Sequence, residues 1–140
     1  MVGTSAMTLF SYLVSESKNK NFREPEVLGE LMERLPDKGS KEPPQVAGWA
    51  IHYAIGILFV AGYNLLWKHT KIKPSVTSGT LLGAASGVVG VMGWKIMYDG
   101  HPDPPTKNRR SFFGHLMVAH AVFGLFSAIT HKLIDDNGLR

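Results

Sequence analysis

Residues 45–67, QVAGWAIHYAIGILFVAGYNLLW, contain no Asp, Glu, Lys or Arg, and neither do residues 75–94 and 111–131. A helix of about 20 uncharged residues spans the roughly 30 Å hydrocarbon core of a bilayer. A helix on the surface of a soluble domain keeps one apolar stripe and one polar face. Around Ala54-Ile55-Gly56-Ile57-Leu58-Phe59-Val60-Ala61 no face is polar. A soluble chain of 140 residues is too small to hide three such helices completely. The expected solvent is therefore the membrane. The mean hydropathy of +0.00 conceals this, because it averages apolar spans with very polar connectors.

Outside these windows, residues 1–14 are apolar and small, short for a crossing and without the basic start of a signal peptide. They are expected to form a first membrane helix. The fold predicted from the sequence is all-α: a four-helix transmembrane bundle in a single domain, residues 1–140. The spans fall near residues 1–15, 45–67, 75–98 and 112–133. A short amphipathic helix is expected in the first connector. It opens at Glu24-Pro25-Glu26, since proline and acidic side chains suit a first turn, and it ends before Pro36. Val27, Leu28, Leu31, Met32 and Leu35 share one face at helical spacing. That face either caps the bundle at the headgroups or docks a partner. Pro36, Gly39, Pro43 and Pro44 then punctuate a loop.

With four spans, both termini lie on one side and the two longer connectors on the other, here side A. Side A holds about nine Lys and Arg against about five opposite, which favours side A as cytoplasmic. The net charge of +4 sits in connectors and reads as topology or lipid contact, not nucleic-acid binding. The absence of cysteine excludes disulfides, thiolate metal sites and a cysteine nucleophile.

The third span carries Gly79, Gly83 and Gly87, a repeated small-xxx-small pattern that lets a neighbouring helix approach closely. Polar residues inside the spans are few. His52 and His120 lie about 11 and 12 Å below side A at 1.5 Å per residue, on two helices that run the same way. Lys95 and His115 are shallower, Lys95 by roughly 5 Å from the same surface. These four form the candidate intramembrane polar site, because an ionisable group in a span is costly to keep there. Lys95 also suits snorkelling to the interface. A structural hydrogen bond is the alternative for each histidine. His120 and His131 share a helix face but are roughly 16 Å apart, too far for one metal ion. The loop Asp99-Gly100-His101-Pro102-Asp103 reads as a turn more readily than as a metal site. No Walker loop, dinucleotide fingerprint, HExxH or GxSxG occurs, and no catalytic residue is assigned.

Gly48-Trp49-Ala50-Ile51-His52-Tyr53-Ala54-Ile55-Gly56, Pro74, the glycines of the third span, Pro102 to Pro105, and His120-Ala121-Val122-Phe123-Gly124 stand in this order. Over roughly residues 48–131 this resembles the small four-helix bacterial integral membrane proteins classed as a domain of unknown function. The resemblance implies four spans in a bacterial inner membrane, with His52 and His120 at the motif positions, and it implies no activity. Three functions stay open. The first is a non-enzymatic accessory or interaction subunit, in a homo-oligomer or with a membrane protein partner in the bilayer. The second is a redox protein holding haem or a metal on His52 and His120. The third is a proton-coupled small-solute carrier using the same pair.

Overall fold

The structure is a computed structural model that describes residues 1–36, 43–105 and 108–138. Among the described residues there are five α-helices and no strand: α1 (Val2–Lys18), α2 (Glu24–Glu33), α3 (Pro44–His69), α4 (Val76–Gly100) and α5 (Arg109–Asp136). Gly39, assigned to the first connector from the sequence, lies outside the described residues. By length and composition α3, α4 and α5 can each cross a membrane. They are about 39, 37 and 42 Å long at 1.5 Å per residue. The 17 residues of α1 reach about 25 Å, short of the hydrocarbon thickness.

The helices outrun their uncharged windows, because a window without charges measures apolar width and not helix length. Asp99 and Gly100, read as the start of a loop, are the last turn of α4. Asp99 is held there by Lys95 one turn earlier and by Arg109 across the connector. The first turn of α5 begins at Arg109, where the Asn108 side chain accepts from the Ser111 amide at 3.1 Å. α1 continues to Lys18 and closes on Asn19 in the left-handed region, φ 50°. Ser75 and Ser78 open α4 with a reciprocal capping box.

Small residues decide how the helices meet. Gly79 and Gly83 of α4 back onto Gly124, Ala128 and the His120 carbonyl of α5, leaving no room for a Cβ. Gly48 of α3 and Gly29 of α2 pair in the same way, since a Cβ on Gly48 would stand 2.6 Å from the Gly29 nitrogen. That crossing seats α2 on the start of α3 and buries Val27, Leu28 and Leu31. Leu35 stays exposed, because α2 ends at Glu33 before the apolar stripe does. α1 runs antiparallel to α3 and α5: Gly3 meets Phe123 and Ser127, and Ser11 meets His115. Thr4 fills the space left by Gly56 of α3.

α3 and α4 are tied at one level. The Tyr63 hydroxyl donates to the Leu82 carbonyl at 3.1 Å and lies 2.6 Å from the Ser86 hydroxyl. Around the outside, Leu58, Leu65, Leu81 and Ile96 are exposed. In water such faces are association patches. In lipid they cost nothing, and close contact between small residues supplies the cohesion.

Candidate functional site

Thr4, Thr8, Ser11 and Ser15 recur along the buried face of α1 at spacings of four, three and four. This row of hydroxyls organises the interior. Thr8 donates its single proton to the Thr4 carbonyl at 2.8 Å. It must therefore accept from His52, whose Nε2 is 2.9 Å away. His52 is then the Nε2–H tautomer and its Nδ1 carries the lone pair. On α5, His120 Nδ1–H donates to the Leu116 carbonyl at 3.0 Å. Its Nε2 has no hydrogen-bond partner among the described residues. Gly90 of α4 makes room for this ring: a Cβ there would fall 2.8 Å from Cε1 and Nε2. Phe59 meets the His120 ring edge-on at 5.7 Å.

One turn nearer the α1–α2 connector, the hydroxyl row meets a second cluster. His115 is stacked between Phe10, at 5.4 Å, and Phe22, at 4.6 Å. Its Nε2 is 2.9 Å from Ser11 Oγ, which donates to Glu24 Oε1 at 2.8 Å. With Glu24 ionised, His115 donates to Ser11 and Ser11 to the carboxylate. With Glu24 protonated, every donor and acceptor in the chain can reverse. These three groups can hold one proton at either end.

Glu24 is 1% exposed, at the first turn of α2. Burial pushes its carboxyl up to about 8, against the opposing pull of its backbone and Ser11 hydrogen bonds. Oε1 is 3.9 Å from His115 Nε2, whereas Oε2 has no hydrogen-bond partner among the described residues. A buried acceptor left unpaired costs about 1–3 kcal/mol. The neighbouring Arg23 does not relieve it, since it pairs with Glu16 and Glu26 and covers the Tyr12 ring.

Glu24, His52, His120 and Thr4 border one cavity of about 230 Å³. The remaining wall is apolar, with Phe59, Trp94 and Phe123 supplying aromatic surface. All five helices contribute. On the side between α3 and α4 the lining residues Ile55, Val89 and Met97 are 40%, 58% and 38% exposed. The cavity mouth therefore lies on the outer, apolar surface.

Of the four polar residues singled out from the sequence, His52 and His120 share this cavity. His115 is buried beside it and joined to Glu24. Lys95 stands apart on the outer face of α4, 66% exposed and paired with Asp99. Among the described residues, no three His, Asp or Glu side chains are grouped so as to hold a metal ion. His101 donates from Nε2 to the Leu31 carbonyl at 2.8 Å and accepts the Asp103 amide at Nδ1, so it ties the α4–α5 connector to α2. His131 stacks on Trp67 at 4.9 Å, far from the cavity.

Glu24 and the α1 hydroxyls were missed in the sequence. Glu24 passed as an ordinary first-turn acid, and α1 as a plain apolar start. The signal available was the 4-8-11-15 hydroxyl spacing, which puts four polar groups on one face of an otherwise apolar helix. The chain matches no protein-family model, no curated protein and no solved structure.

Proposed function

We propose that this chain is an integral membrane protein that binds a small, lipid-soluble molecule without transforming it. In this reading α1, α3, α4 and α5 cross the bilayer as a four-helix bundle, and α2 closes the side-A end. The antiparallel path of α1 along α3 and α5 supports its counting as the fourth crossing, despite its length. The motifs around His52 and His120 support placement in a bacterial inner membrane, with side A cytoplasmic from the excess of Lys and Arg there.

One observation carries the binding reading: a cavity with apolar walls and a few convergent polar groups, whose mouth faces the membrane between α3 and α4. That is the composition of small-molecule sites. Within the chain the glycine face of α4 packs on α5, and Val27, Leu28 and Leu31 of α2 are buried. A chain reduced to Trp94 as its sole tryptophan, by Trp49→Phe and Trp67→Phe, tests the site. In lipid nanodiscs, tribromoethanol should quench Trp94 saturably. Gly93→Phe, at a mouth position with nothing within 4 Å of its Cβ, should reduce that quenching several-fold. Linear, unsaturable quenching identical in both chains would refute the reading.

A bis-imidazole metal site is the second reading. Each ring has one nitrogen fixed by a hydrogen bond and a lone pair on the other, as metal-binding histidines do. A cavity of about 230 Å³ favours a bare ion over a porphyrin. Metal analysis of the same purified protein separates the two readings.

A further inference from the structure

The Glu24 carboxyl is the one carboxyl among the described residues that is buried with an oxygen left without a hydrogen-bond partner. It is buried and borders the cavity, and its Oε2 touches no donor. Among the described residues the cavity wall contains no Lys or Arg. Glu24 meets Ser11 of α1 and His115 of α5, acts on Tyr12 of α1, and shares the cavity wall with His52 of α3 and His120 of α5. From α4 the wall offers Val89, Gly90, Gly93, Trp94 and Met97, none of them titratable. On its own helix Arg23 and Glu26 are paired with each other, and Lys18 of α1 acts on His115. The site therefore holds an acid without a cation, beside the rings of Phe59, Trp94 and Phe123. A carboxylate attracts a hydrogen-bond donor of positive charge, and aromatic faces attract the same charge.

We propose that the cavity binds a small lipophilic amine as its ammonium ion, with Glu24 Oε2 as the counter-ion. This rests on the ligand-binding reading above and names its ligand class. Binding exchanges one cation for another. The protonated carboxyl loses its O–H proton to solvent and the ammonium N–H donates to the resulting carboxylate, so the net charge of the site is unchanged. The raised affinity of buried Glu24 for its proton fits this exchange.

Calorimetry on the full chain in detergent micelles, with benzylamine, benzyl alcohol and benzoate as probes, tests the proposal. Benzylamine should bind at least tenfold more tightly than benzyl alcohol, and benzoate not at all. Its affinity should rise about tenfold per pH unit between pH 6 and 7.5, where the proton competes. Titrations at pH 6.5 in two buffers of different ionisation enthalpy should show close to one proton released. Glu24→Gln should weaken benzylamine at least tenfold more than it weakens benzyl alcohol. The proton count on the unaltered chain decides the matter if that variant does not fold. Equal binding of the amine and the alcohol, or no proton released, overturns the amine proposal and leaves the cavity reading intact. No binding by any probe, with Trp94 unquenched by tribromoethanol, overturns both.

Discussion

In the folded chain the Glu24 carboxyl keeps its proton up to about pH 8, whereas a free glutamate releases it near 4.5. Between those values the folded state binds more protons than the unfolded state, so stability falls as pH rises. The contribution is complete below about pH 4.5 and is lost as pH passes through about 8. The thermal midpoint in micelles should be higher at pH 5 than at pH 8.5, by roughly 10 °C. Glu24→Gln, which stays neutral, should flatten that difference. An equal pH slope in both chains would assign the effect to other groups. His52 and His120 were readable as a pair from rise per residue alone, because depth along a helix is arithmetic. Glu24 was not, because nothing in a polar connector tells which side chain the following helix tips inward.

Among the helices, the glycines of α4 do two things. Gly79 and Gly83 let α5 come close, while Gly87 and Gly90 seat the His120 side chain. A Cβ on Gly83 would strike the His120 carbonyl and the Ala121 Cα, neither of which can swing away. Gly83→Ala should destabilise the chain by about 1–3 kcal/mol through overpacking. Gly62 of α3 has nothing within 4 Å of its Cβ. Gly62→Ala should be neutral or slightly stabilising, since alanine favours a helix by about 1 kcal/mol over glycine. Unfolding in mixed micelles measures both, and an equal gain in the two variants would mean that helix propensity, not contact, governs the row. The small-xxx-small spacing was visible in the sequence. Its partner was not, because spacing shows a groove without showing which helix fills it. The ends of α4 and α5 also escaped the uncharged windows, since Asp99, Arg109 and Arg110 continue helices that the windows cut short.

For the molecule as a whole, the arrangement in the bilayer is open to direct mapping because the chain has no cysteine. Single cysteines at Lys20 and Asp103 should react with an impermeant maleimide from one side of the membrane. Those at Lys71 and Asn137 should react from the other. Val2→Cys decides the status of α1: labelling with Lys71→Cys places four crossings, and labelling with Lys20→Cys leaves three. The all-α class and the three long spans were legible because the absence of charge over about 20 residues has few other meanings. The site drew on all five helices, and its assembly has a cost in time. Ser11 and His115, hydrogen-bonded at 2.9 Å, are 104 residues apart in the chain. At about 5–20 residues per second of synthesis, the hydroxyl face of α1 waits roughly 5–20 s for α5 to emerge. During that interval α1 must be sheltered by lipid headgroups, by α3 or by the insertion machinery. α1, made before the other four described helices, thus completes its set of neighbours only with α5, and a nascent chain stalled before residue 115 has the hydroxyl row but not its histidine.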